Sequence, residues 1–410
     1  MKLNNIFIII LLCIFSYAQS AFDWNDGGVE MRQGDHIEWY RTGDIGEDGE
    51  MIFAWSDTRN GIRDIFIQKI NVNGEAMWGG NGTNVISAPG RQEDPILVSD
   101  NSGGAFILWV DYQFESEDGD IYAQHILSDG SKAWDERGLP LSNKAGKQDS
   151  PNLCIDGQGG AYAIWKDKSE SNNGHVYASH LSFEGVTQEG TGVPIITNEV
   201  SHNGISLEIG GEGEAVLVWY QGAIGEEDIY GQRIGVSGND ISTLWSSPQE
   251  GGIIISEAVG AQTSAKVTYM SEGLSIVVWM DSRNEPENGD IYMQIIDSEG
   301  SFPYLDNGGV AVCSANETQQ SPRVKADEYG AFIVWEDLRT PGAFGPQVDF
   351  YAQKVDLEGS IIWESNGIPI STADGTQNGI RLTTDKNGGA YFVWMDDRTG
   401  PGEAEEIDIF

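Results

Sequence analysis

Four arginines recur at one place in a repeated phrase. Arg59, Arg283, Arg339 and Arg398 each stand two residues after an aspartate, Asp57, Asp281, Asp337 and Asp396, in the pattern Trp-x-Asp-x-Arg. A guanidinium is permanently charged and presents its donors as a planar fork, which suits two-point recognition of carboxylates and hydroxyl-rich ligands. On a chain of net charge −41 these residues are candidates for a ligand-binding arc. A local reading competes with it. Positions that recur with a repeat usually serve the repeat, so each arginine pairs at home, as Arg59 would with Asp64. The aspartates would then cap the turn by accepting backbone N–H groups.

Two loops rich in oxygen ligands suggest a second chemistry. Glu115 to Asp120 and Asn284 to Asp290 make calcium binding a candidate at Asp118, Asp120, Glu287 and Asp290, since calcium takes six to eight oxygens. Neither loop follows the spacing of an EF-hand. Catalytic signatures are poor. The five histidines are His36, His125, His175, His180 and His202, with no zinc-ligand spacing among them. No Gly-x-Ser-x-Gly elbow or phosphate loop occurs. With 64 acidic residues, a pair of carboxylates at glycosidase separation carries no information. On this reading the chain is not an enzyme.

The elements that must position these residues follow from the repeat. An apolar run ending in Trp-x-Asp occurs at Trp55, Trp109, Trp165, Trp279, Trp335 and Trp394, and Trp219 is a copy with Gln221 in place of the aspartate. A phrase Asp-Ile-Tyr-x-Gln follows each, as in Asp120 to Gln124, with a degenerate third copy at His175. Then come a tryptophan, a glycine turn and a short apolar strand, as in Trp78 to Ile86. A polar turn with a glutamine leads to the next strand, as in Gln148 to Gly160. Each unit therefore holds about four short strands. The Trp strand reads as buried on both faces, and the Asp-Ile-Tyr strand alternates as a half-buried one. Four strands and a period in the fifties predict an all-β protein, a seven-bladed β-propeller of four-stranded blades. The segment Phe22 to Glu30 matches the outermost strand, so the N-terminal strand is expected to complete the last blade and close the ring. Asp408-Ile409-Phe410 is a short seventh copy, and the natural protein is expected to continue beyond it.

Lys2, the apolar run Ile6 to Phe15 and the small residues before Gln19 have the layout of a secretory signal peptide over 1–18. That run is too short to span a bilayer, which needs about twenty residues. Residues 19–410 then form one propeller domain, secreted or at the cell surface and expected to be monomeric. Cys154 and Cys313 fall at different phases of the repeat and lie in apolar stretches, so they read as buried small hydrophobes rather than a disulfide. The balance of 23 Lys+Arg against 64 Asp+Glu excludes a nucleic-acid partner, because it repels a phosphate backbone.

The phrases Trp-x-Asp-x-Arg and Asp-Ile-Tyr-x-Gln, followed by Gly and Trp with Asn-Gly, resemble the repeats of large secreted Bacteroidetes proteins. They are also distantly similar to TolB-type propeller repeats. The resemblance implies a propeller and export by type IX secretion, although no sorting domain of that pathway is present in the sequence. Residues and resemblance together suggest a binding or adhesion module for a glycan or protein partner. The alternatives are an extracellular polysaccharide hydrolase or lyase on the same scaffold, and a structural repeat of a longer surface protein.

Overall fold

The computed structural model describes residues 38–46, 49–113, 118–142, 144–186, 192–237, 240–246, 251–342, 345–373, 377–396 and 408–409. The expected signal peptide, the strand Phe22 to Glu30 and its closure of the last blade lie outside the described residues. Two compact units divide the chain: Met1–Ile155, Gly159–Ser169 and Ser179–Gly192 in the first, and Asp156–Gln158, Glu170–Ala178 and Val193–Phe410 in the second. Among the described residues no helix is long and apolar enough to cross a membrane.

Apart from the two-stranded pair Pro341–Gly342 and Gly345–Pro346, the strands form antiparallel sheets of one recurring pattern. In the first unit, sheet 1 orders Glu38–Ile45, Met51–Asp57, Asp64–Ile70 and Thr83–Ile86, and sheet 2 orders Arg91–Ser99, Ala105–Tyr112, Asp120–Ile126 and Leu139–Ser142. Sheet 3 contributes Gln148–Ile155, Ala161–Asp167 and Gly185–Val186 to the first unit. The start of its His175–Ser182 strand pairs with Val193–Ile196 within the second. Sheet 4 follows with Asn203–Gly211, Glu214–Ala223 and Glu226–Ser237, the last pairing both Asp240–Thr243 and Ile253–Ser256. Sheet 5 is Gln262–Tyr269, Ser275–Glu285, Asn288–Ile296 and Val310–Cys313. Sheet 6 is Gln319–Asp327, Gly330–Asp337, Asp349–Val355 and Ile368–Ser371. Among the described residues sheet 7 comprises Gln377–Thr384, Ala390–Asp396 and Asp408–Ile409. Four antiparallel strands in chain order are the blade unit of a propeller.

Within each unit neighbouring sheets pack face to face through apolar side chains of their strands and turns. Ile52, Trp78, Leu97, Ile107 and Trp109 fill the space between sheets 1 and 2. Val218, Trp245, Val267 and Trp279 do so between sheets 4 and 5, and Val278, Met293, Val324 and Trp335 between sheets 5 and 6. Burying one such side chain contributes about 1.5–3 kcal/mol. The third strand departs from expectation. In sheet 1 it does not alternate, Asp64–Ile70 being buried at every position, whereas Asp120–Ile126 alternates over its first four residues. Its polar residues are accommodated because each has an internal partner. Gln124 shows the pattern, donating to Asp135 O (2.8 Å) and accepting from the backbone of His125 and Trp134. Gln68, Gln232 and Gln353 likewise accept the backbone N–H of Trp78, Trp245 and Trp363 and so fix the following tryptophan. That tryptophan then ties to the next turn of its own unit, Trp78 Nε1 to Ser128 O at 3.1 Å and Trp245 Nε1 to Ser298 O at 2.9 Å. Gly309, at φ +76°, sits over Trp279 so closely that a Cβ would lie 2.3 Å from the indole, which is why the turn carries glycine there. Cys154 and Cys313 are buried and are not joined in a disulfide.

The first strand of each sheet carries a further repeated feature. Its pairing slips by one residue at Glu93/Ile96, Thr263/Lys266, Gln320/Arg323 and Asn378/Arg381. At the slip Asp94, Ser150, Ser264 and Ser321 take φ of 52°, 56°, 59° and 55°, and Gly204 and Gly379 take 60° and 69°. This is a β-bulge with one left-handed residue, a device that re-aims the side chains beyond it.

Candidate functional site

The Trp-x-Asp-x-Arg residues are engaged inside their own sheets. Asp57 accepts Arg59 N at 2.7 Å and Arg59 Nη2 at 2.6 Å, while Arg59 Nη1 reaches Asn81 O at 2.7 Å. Its guanidinium lies 3.7 Å from the Phe66 ring centroid. Arg283 repeats this with Asp281, Gly308 O (2.7 Å) and the Tyr292 ring, and Arg339 with Asp337, Asn366 O and the Tyr351 ring. Asp57, Asp281 and Asp337 are fully buried, and each also receives its own tryptophan's indole N–H. The partner is the aspartate two residues back rather than Asp64, because the turn folds the arginine over its own cap. Burial alone would raise the Asp57 carboxyl, but the hydrogen bonds from Arg59 and Trp55 hold it below its ordinary value. Asp396 ends its strand, and Arg398 lies outside the described residues.

Glu115 to Glu117 of the first candidate calcium loop lie outside the described residues. Among the described residues no three His, Cys, Asp or Glu converge in a way that could hold a metal. Asp290 instead accepts Asn284 Nδ2 at 2.6 Å, and Glu287 is exposed at a turn. Asp118 is exposed beside Asp120, whose carboxyl burial, Asp111 and Asp118 push up to about 6.

Side chains that break the repeat form a different cluster, all within the second unit. His175 stands where other copies have aspartate, His202 where they have glutamine, and Gln221 where they have aspartate. His175 Nε2 is 3.5 Å from a Glu199 carboxylate oxygen, and its Nδ1 is 4.0 Å from Glu170. Ser171 Oγ donates to Glu199 at 2.8 Å, and Asn173 Nδ2 to the Glu199 carbonyl at 2.6 Å. Ser171 and His175 together hold the Glu199 carboxyl below its ordinary range. The Glu199 side chain is 76% exposed against 9% for His175, so an ionised carboxylate faces solvent with an imidazole behind it. His202 is buried, with Nδ1 3.3 Å from Gly174 O and Nε2 against Asn198 Oδ1. Asn198 in turn meets Gln221, which accepts the Trp219 indole at 2.9 Å. Carboxylate and imidazole in contact at a solvent boundary have the elements of a general acid–base pair.

A second group was not legible from the Trp and Asp phrases. Just past the bulge, sheets 5, 6 and 7 carry Lys266, Arg323 and Arg381, where the other described first strands carry Thr42, Ile96, Asn152 and Ser206. A small residue two positions before the cation, Ser264, Ser321 or Gly379, is the signal that aligning the repeats on their glutamines would have exposed.

No protein-family model matches the sequence, and no curated protein shows significant sequence similarity to it. Solved structures do resemble the fold. One is an ulvan lyase of polysaccharide lyase family 25 bound to -[GlcA(1-4)Rha3S]-, 8% identical, covering 94% of this chain and 92% of that one at a TM-score of 0.51. Others are a Penicillium chrysogenum α-L-arabinanase with arabinobiose (13% identity, 81% and 97% covered, TM-score 0.41) and a Fusarium graminearum α-L-arabinofuranosidase (10%, 80% and 97%, TM-score 0.40). These proteins are enzymes acting on carbohydrates. The expectation that the chain is not an enzyme, which rests on the poverty of zinc, nucleophile-elbow and phosphate-loop signatures, is corrected on the likeness to the ulvan lyase, and acid–base candidates sit where the repeat is broken.

Proposed function

We propose that the protein is a carbohydrate-active enzyme, a polysaccharide hydrolase or lyase, with its sheets arranged as a seven-bladed propeller. The observation that carries the reading is the His175–Glu199 contact, assembled from residues that depart from the repeat and placed at the solvent boundary. In this reading Glu199 and His175 exchange the proton that either reaction needs. Hydrolysis requires protonation of the departing glycosidic oxygen while water is activated. Elimination requires removal of a proton beside the sugar carboxylate and protonation of the same oxygen. The fold likeness to the ulvan lyase supports the scaffold rather than the residues. We further propose that the segment 22–30 supplies the strand sheet 7 lacks among the described residues. Tyr391, Val393 and Met395 are 63%, 46% and 40% exposed on one face of that sheet, an apolar stripe that ring closure would cover. A signal peptide over 1–18 would place the enzyme outside the cell.

The test is release of reducing ends, or of the ultraviolet absorbance of an unsaturated uronate, from a panel of neutral and acidic polysaccharides. Glu199→Gln and His175→Asn should each lower turnover by about 10²-fold or more with the circular dichroism spectrum unchanged. Cleavage of no polysaccharide, or full turnover in both variants, would sink the assignment.

A further inference from the structure

Lys266, Arg323 and Arg381 occupy one structural position in three successive sheets, all within the second unit. Their strands are neighbours, sheet 5 beside sheet 6 and sheet 6 beside sheet 7. Each cation lies two residues past the left-handed residue of the bulge and directly opposite a valine of the second strand: Val278, Val334 and Val393. The bulge thus aims three charges into one row. Lys266 and Arg323 are half-buried and Arg381 is exposed, so the row runs from the interior toward solvent.

Glu336 partly offsets the charge of Arg323 without pairing with it. Among the described residues, none of the three makes an ion pair. Arg381 donates to Gly379 O and Ile380 O, at 3.2 Å and 3.1 Å, rather than to a carboxylate. Glu336 is occupied by Gln320 Nε2 at 3.0 Å, and Glu208 by Lys325 Nζ at 2.9 Å. The charges oppose one another: burial and then Arg323 lower the Lys266 ammonium, and burial and then Arg381 lower the Arg323 guanidinium in spite of Glu336, which raises it. Among the described residues three adjacent cations with no ion pair between them and a carboxylate mark an anion position.

We propose that Lys266, Arg323 and Arg381 form a subsite for the single anionic group, carboxylate or sulfate ester, of an acidic polysaccharide. The sugar part of this inference rests on the function proposed above, whereas the anion part rests on the row alone. The net charge of −41 works against a ligand as densely charged as a nucleic acid, so it favours a polymer with an anion only every second sugar.

Calorimetric titration of the whole protein with three octasaccharides tests it: hyaluronan, carrying carboxylate only; κ-carrageenan, carrying sulfate only; and a neutral cello-oligosaccharide. At least one acidic ligand should bind, more weakly as salt is raised, and the neutral one should not. The acidic ligand that binds identifies the anion. Arg323→Gln, Lys266→Met and the exposed Arg381→Gln should each weaken that binding by about tenfold or more. The subsite is overturned if neither acidic ligand binds, if the neutral one binds equally, or if well-folded Arg381→Gln and Arg323→Gln bind as the parent does. Repeating the titration in Glu199→Gln separates the two proposals. Acidic binding without turnover in the parent removes the catalytic assignment and keeps the subsite, whereas turnover unaffected by the row variants does the reverse.

Discussion

Sheets 1, 5 and 6 differ instructively from sheet 2. In all four the register sets two aspartates opposite each other, Asp57 with Asp64, Asp281 with Asp290, Asp337 with Asp349 and Asp111 with Asp120. Two like charges so placed repel, and burial magnifies the cost. In sheets 1, 5 and 6 the arginine two residues on neutralises the pair and ties the turn before the fourth strand to it. In sheet 2 that place holds Gln113, a neutral residue that donates to Tyr122 Oη at 2.9 Å. There burial raises both members, Asp111 in spite of its hydrogen bonds and Asp120 to about 6, whereas in sheet 1 burial raises Asp64 but the arginine and tryptophan hold Asp57 low. Sheet 4 shows a third solution, Gln221 opposite Asp228, and Asp228 is still raised to about 6 by burial and Glu257. The arginines expected to form a ligand arc are in this light fold residues, the answer to a charge problem the repeat creates for itself.

The comparison can be broken at either end. The largest effect is expected from Arg283→Ala, which leaves the fully buried Asp281 facing Asp290 with no cation; urea unfolding should show a loss of about 3 kcal/mol. If stability is unchanged, the arginine is free for another role. Next is Asp120→Asn. The folded carboxyl titrates at about 6 against an unperturbed 3.8, so between those values the folded state holds the extra proton. Parent stability should therefore fall as pH rises through that window. The variant should lack that slope and gain about 1 kcal/mol at neutral pH, a figure discounted for the partial exposure of the group. The smallest effect is expected from Gln113→Arg, which installs the missing cation in sheet 2. It should add about 0.5 kcal/mol and bring the Asp120 titration down, read by carbon-detected NMR of the carboxyls. An unchanged Asp120 midpoint would mean that the sheets differ by more than this one residue.

Much of the blade was legible in the sequence because its parts are local. The Trp strand, the aspartate cap and the glutamine that holds the next tryptophan each depend on residues within about a dozen positions, the range over which turn and strand signals act. The burial of the third strand was not, since the alternation of Asp64-Ile65-Phe66 hides that its polar side chains find partners inside the sheet stack. The site was least legible. His175 with Glu199 reads as a degenerate copy until the turn brings them within 3.5 Å, and three cations spaced more than fifty residues apart become neighbours only when their strands do. Weighting the exceptions to the repeat rather than its consensus would have found both.

The left-handed residue of the first strand has an evolutionary implication. Since the backbone slip alone decides which way the side chain two places later points, the residue at that place is decoupled from the stability of its blade. Thr42, Ile96, Asn152, Ser206, Lys266, Arg323 and Arg381 all fit the same socket. Such a scaffold works as a keyboard with one writable key per blade. New ligand preferences can arise there by single substitutions, without renegotiating the fold that carries them.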